Sequence, residues 1–135
     1  MLPENTLVAP QADHYMLWVG ELNEKELLAY IHEPAGAKDG EPHSLFAADL
    51  MQFYDHDFLW AKGVSRPVSI ATLAEKLGVR DEALLDQISD LAGSKKIKCF
   101  LLLWNYVNVR PLEQQFAGGR IHFVGSASHE SPYLD

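Results

Sequence analysis

The chain has a single cysteine, Cys99, among its 135 residues. An internal disulfide is therefore excluded, as is a zinc site assembled from several cysteines. Long apolar runs are missing too. The longest strictly apolar stretch covers residues 99–104, six residues where a membrane-crossing helix needs about 20. The first basic side chain is Lys25, and Pro3, Glu4, Asn5 and Asp13 interrupt the apolar residues before it, so no secretory leader is expected. These absences point to a cytoplasmic protein in a reducing compartment, with no membrane partner. Glycine patterns that cradle nucleotides are absent, and so is the Gly-x-Ser-x-Gly elbow of serine hydrolases.

Positive charge is scarce in the first half. Residues 1–60 hold 11 acids but only Lys25 and Lys38, a charge of −9, whereas residues 61–135 carry +1, for a net charge of −8. A front this acidic repels phosphate and favours a basic partner, so nucleic acid is not an expected ligand.

What is present suits one folded domain: 47% of residues are hydrophobic and 22% charged. Residues 1–13 carry two prolines and no period and read as a loose lead-in. Residues 14–126 read as a single α+β domain, and 127–135 as a tail. Within the domain, residues 14–20 suit a strand. Asn23 with Glu26 forms a capping-box pair for a helix, and a polar loop at 34–43 follows. Ser44 caps a second helix with Phe46, Leu50 and Phe53 on one face, and residues 54–58 make a turn or short extended piece. After a break at 63–67, Ser69 and Asp81 cap two more helices, closed by Gly78 and Gly93. Residues 97–107 are apolar on both faces after Lys98, which predicts a central strand. Gly118-Gly119 turns the chain into a last strand, 120–125, with one wet face. The expected architecture is a small, mostly antiparallel sheet packed with about four helices.

Few residues suggest catalysis. Cys99 falls inside the predicted central strand, where a cysteine behaves as a small buried hydrophobe. The six histidines include no pair spaced four apart. Asp55-His56-Asp57 is the nearest thing to a metal cluster, and it lacks the further oxygens that a hard cation requires. No catalytic residue, metal or cofactor is expected. Residues 69–92 imitate a helix-turn-helix, which makes a winged-helix DNA-binding regulator the alternative function. Its second helix, however, offers Asp81, Glu82, Asp86 and Asp90 and no base, where a recognition helix presents Arg, Lys, Asn or Gln.

Three groups of residues carry a likeness to a known family. They are Trp18-x-Gly20 with the helix at 24–31, then Ser44-x-Phe46…Asp49 running into Tyr54-Asp55-x-Asp57-Phe58, and last the apolar strand at 100–106 with Ile121-His122-Phe123-Val124-Gly125. In this order and spacing the chain resembles the immunity protein 22 family of bacterial polymorphic toxin systems. The resemblance implies an α+β protein without catalysis that binds a cognate secreted toxin and blocks it. It implies structural roles for Trp18, Gly20, Phe58 and Gly125. The charge pattern suggests a toxin with a basic nuclease domain, since a nuclease needs a positive groove and carboxylates can imitate its substrate. Aromatics among acids supply anchors, so Tyr54, Asp55, Asp57 and Trp60 are the first candidate toxin contacts, with Glu21, Glu24 and Asp49 second. Homo-oligomer formation is left open.

Overall fold

Two strands buried on both faces set the architecture. The computed structural model describes residues 6–33, 44–52 and 54–133. Its elements run β1 (Val8–Gly20), α1 (Glu24–Ile31), α2 (Leu45–Leu50), a 3-10 turn (His56–Phe58), β2 (Leu59–Val68), α3 (Ile70–Leu77), α4 (Glu82–Ala92), β3 (Ile97–Asn108), a second 3-10 turn (Ala117–Gly119) and β4 (Ile121–Ser128). The strands form one four-stranded sheet in the order β2-β3-β1-β4, and every neighbouring pair is antiparallel. The long apolar runs belong to β1 and β3, which take the two central places as strands buried on both faces must.

Alternation along these strands divides the core in two. Met16 and Trp18 of β1 and Cys99, Leu101 and Leu103 of β3 face α1 and α2, where Leu27, Tyr30, Phe46 and Leu50 close the layer. Tyr15, Leu17, Val19, Phe100, Leu102 and Trp104 face α3 and α4, meeting Ile70, Leu73, Leu84 and Ile88. The result is helices, sheet, helices: an α+β domain with an antiparallel sheet between two helical layers. Among the described residues no helix is long and apolar enough to cross a membrane.

The caps are where the sequence put them. Asn23 and Glu26 form a reciprocal capping box, and Ser44, Ser69 and Asp81 each accept from a backbone amide of the helix they start. Gly78 closes α3 at φ +111°, a left-handed position that glycine occupies without a Cβ penalty. Strand 97–107 is observed as β3. Phe53 and the loop 34–43 lie outside the described residues.

Three expectations are corrected. β1 starts at Val8 and runs through most of the supposed lead-in. Pro10 and Asp13 mark a bulge, not a loop. Pro10 pairs with Tyr106 and Tyr15 with Trp104, so residues 11–14 lie opposite Asn105 alone, with Asp13 and Asn105 at φ +58° and +64°. The supposed break at 63–67 lies inside β2. That strand is an edge, where proline is tolerated, and a Cβ on Gly63 would lie 2.9 Å from Glu24 Cα, so the glycine admits α1 against the sheet. Finally, β4 extends to Ser128, and the supposed tail folds back over the α3/α4 face. There the His129 amide donates to Asp13 O (2.9 Å) and the Ser131 amide to Asp13 Oδ1 (2.9 Å).

Candidate functional site

The predicted contact residues separate into three settings. Asp49 is committed internally. Its Oδ2 accepts from Tyr30 Oη (2.6 Å) and from the Ala117 amide (2.8 Å), joining α1, α2 and the turn before β4. Burial, and then this carboxylate, push the Tyr30 phenol far above its usual range. Glu24 is bound to Lys62 of β2 at 2.9 Å, and Glu21 sits half-buried beyond the end of β1. Tyr54 turns inward against Phe46, with ring centroids 5.5 Å apart, and burial raises its phenol to about 12.

Asp55 and Asp57 remain exposed on the first 3-10 turn. Asp55 Oδ1 accepts from the Asp57 amide (3.0 Å), and the Asp55 amide donates to Tyr106 Oη (2.9 Å), which holds the turn to β3. Trp60 lies on the other side of the sheet from Tyr54, its ring 5.4 Å from Trp104. Tyr54, Asp55, Asp57 and Trp60 therefore do not share one face. Phe58 packs its ring 5.0 Å from Tyr133. Trp18 is enclosed by Phe46, Phe116 and Phe123. At Gly20 an added Cβ would lie 2.3 Å from Arg120 O, so only glycine fits where β1 meets the entry to β4.

A second acidic surface lies on α4. Glu82, Asp86 and Asp90 recur every fourth residue and are all exposed, and Asp81 precedes them. Residues four apart share a helix face, so these carboxylates form one row. Glu75 of α3 stands beside it, lining a shallow groove with Glu82, Asp86 and Leu85. The row's spacing was plain in the sequence. It counted there against DNA and not in favour of a protein partner.

At the start of α4 a cleft of about 370 Å³ opens against residues 129–132, lined by Trp60, Trp104, Leu84, Asp81, His129 and Glu130. His129 Nε2 approaches Asp81 Oδ2 at 3.3 Å, and Trp60 Nε1 donates to Tyr133 Oη at 2.7 Å. The Trp104 indole N–H is buried without an acceptor among the described residues. Arg80 also borders the cleft, but its guanidinium donates to the carbonyls of Glu75 and Val79 at the end of α3, so it neutralises a helix terminus. The cleft thus joins two indoles to the carboxylates of Asp81 and Glu130. Trp60, chosen from the sequence as an aromatic anchor, belongs here and not with Tyr54.

Among the described residues no group of three or more His, Cys, Asp or Glu side chains is placed to hold a metal ion. Cys99 is fully buried, and burial raises its thiol to about 11, which disfavours the thiolate a nucleophile requires. Comparison with known protein families, with curated proteins and with solved structures returned no match.

Proposed function

We propose that this protein binds a basic protein and neutralises it, as an immunity protein restrains a cognate secreted toxin, and that the toxin is a nuclease acting in the cytoplasm. The observation that carries this is the row Glu82, Asp86 and Asp90, exposed along α4 with no lysine or arginine in that helix. A carboxylate row accelerates encounter with a cationic surface and suppresses wrong partners. The cleft at the start of the same helix supplies what charge alone does not. Its half-buried Trp60 gives rigid aromatic contact area and can receive a cationic side chain over its ring. Asp55 and Asp57 add exposed carboxylates on the turn that leads into β2 and Trp60.

The same row speaks against the helix-turn-helix alternative, because α4 would set its carboxylates against phosphates. Titration with the basic C-terminal domain of a secreted protein encoded by the adjacent gene tests the proposal. A complex that weakens steeply with added salt supports it. No complex at low salt overturns it.

A further inference from the structure

The hydrogen-bond phase of the sheet shows which groups of the edge strand β2 face outward. The His129 amide donates to Asp13 O, and the Glu21 amide to Arg120 O, so both ends of β1 set the same phase toward β4. In an antiparallel ladder the two backbone groups of a residue point one way, and the direction alternates along the strand. Leu17 and Val19 thus turn toward β4. Their β3 partners Leu102 and Phe100 turn toward β2, and Trp60 and Lys62 turn back toward β3. Leu59 and Ala61 face outward. The Leu59 amide is taken by His56 O, which leaves Leu59 O and both backbone groups of Ala61. Among the described residues no backbone bond outside the ladders reaches these three groups. Beyond Ala61 the edge is closed. Lys62 is in phase with the α3/α4 layer, yet its Nζ donates to Glu24 Oε2 of α1 at 2.9 Å, so this pair spans the edge. Arg66 and Pro67 follow, residues that keep an edge strand from pairing.

An apolar groove of about 450 Å³ lies over this open stretch. Ile31, Leu59 and Ala61 wall it from the α1/α2 layer, and Trp60, Leu77 and Val79 from the α3/α4 layer. Because both layers line it, it opens at the edge between them. We propose that an extended segment of the basic partner lies in this groove as a fifth strand beside β2, a placement that rests on the function proposed above. Its backbone would bond Leu59 and Ala61, and its alternate side chains would reach the two apolar walls. Charge selects this occupant. Asp55 and Asp57 stand exposed on the turn that enters β2. Trp60 and Val79 also line the cleft that holds Asp81 and Glu130. The nearby cations are engaged. Lys62 is bound to Glu24, and Arg80 to the carbonyls of Glu75 and Val79, while Lys76 shares a depression with Glu75 and Glu82. A second copy, of net charge −8, would bring carboxylates to carboxylates. The segment is expected to hold adjacent apolar residues flanked by lysine or arginine.

The probe is the basic C-terminal domain encoded by the adjacent gene, titrated against the whole chain. Hydrogen exchange at the Ala61 amide, followed by NMR, is expected to slow at least about tenfold in the complex. Ala61→Pro removes that donor at an edge position where proline is tolerated, and is expected to weaken the complex about tenfold with an unchanged circular dichroism spectrum. Leu77→Lys alters the groove wall without touching the strand, at an exposed helix end that favours a cation. It is expected to weaken the complex as much, and it carries the test if Ala61→Pro does not fold. Val109→Lys adds the same charge at another exposed apolar side chain, outside the groove, and is expected to leave affinity within about twofold. Absence of any complex overturns the proposed function and this placement together. The placement alone is overturned by a complex in which the Ala61 amide exchanges as in the free protein. It is equally overturned by one that Leu77→Lys weakens no more than Val109→Lys does, or by a wild-type dimer that Leu77→Lys dissolves, which would put a second copy in the groove.

Discussion

Trp18 and Trp104 occupy equivalent places on opposite faces of the sheet. Both are fully buried, and both leave the indole N–H without an acceptor among the described residues. Their surroundings differ. The rings packed against Trp18 are all phenylalanines: Phe46 at 5.0 Å, Phe123 at 5.2 Å and Phe116 at 5.7 Å. Trp104 meets Tyr15 at 5.2 Å, Trp60 at 5.4 Å and His129 at 6.0 Å, and each of those carries a polar atom bound elsewhere. Tyr15 Oη donates to Gln87 Oε1 (2.6 Å), Trp60 to Tyr133, and His129 approaches Asp81. One face is sealed by apolar packing, whereas the other is closed by side chains that hold hydrogen bonds at a surface. The first kind of closure secures the fold. The second sets polar groups at the rim of the cleft.

The contrast is broken most directly by truncation. Trp18→Ala is expected to lose about 3–5 kcal/mol of unfolding free energy, the usual cost of deleting a buried aromatic ring. Trp60→Ala, at the half-buried rim of the cleft, is expected to lose well under half as much and to weaken partner binding. Denaturant midpoints at constant slope measure the first effect. Equal losses at the two positions would remove the distinction between the faces.

Asp49 sharpens it next. Asp49→Ala strips the acceptor from Tyr30 Oη and leaves the Ala117 amide only its longer bond to that hydroxyl (3.2 Å), and a buried donor left unsatisfied costs about 1–3 kcal/mol. Partner affinity should be unchanged, since this carboxylate works inside the α1/α2 layer. A variant that folds as stably as the wild type but binds more weakly would return Asp49 to the surface role first given to it.

Much of this was legible in the sequence where local chemistry decides the outcome. Asn23, Ser44, Ser69 and Asp81 cap the helices they start because a side-chain acceptor satisfies an orphan amide locally. The both-sided apolar run of β3 declared a central strand for a similarly local reason. What was not legible depends on distant partners. Pro10 and Asp13 look like loop residues until Asn105, more than 90 positions away, is seen to accept from the Asp13 amide. Gly63 looks like a break until α1 is packed against it. At the site, charge and aromaticity were countable, but their sidedness was not. Tyr54 and Trp60 are six apart with a 3-10 turn between them, and no period carries across such a turn. Asp49 looked like any exposed acid because its partners lie on two other elements.

A charge reversal along α4 gives a smaller effect on stability and a large one on association. Glu82→Lys, Asp86→Lys and Asp90→Lys together alter exposed positions only, so the unfolding free energy should shift by about 0.5 kcal/mol or less. Association with the basic partner should slow at least about tenfold at low salt, and the difference should shrink as salt is added. A difference that salt leaves unchanged would mean that these carboxylates act by contact and not by steering.

The smallest effect is expected at the entry to α1. Glu26 accepts from Arg120 Nη1 at 2.7 Å and from Nη2 at 3.2 Å, and also from the Asn23 amide at 3.1 Å. The bond from Arg120, and then that from Asn23, lower the Glu26 carboxyl below its ordinary value. A carboxyl lowered by folding stabilises the native state above its unfolded value, and that contribution is lost as pH falls through the folded value. Glu26→Gln keeps the shape and removes the titration. Its midpoint should therefore lie slightly below that of the wild type at neutral pH and converge with it in acid. Because the pair is exposed to solvent, the gap should also narrow with salt. A gap that persists unchanged at low pH would show that the side chain acts as a neutral cap, with Arg120 contributing nothing through charge.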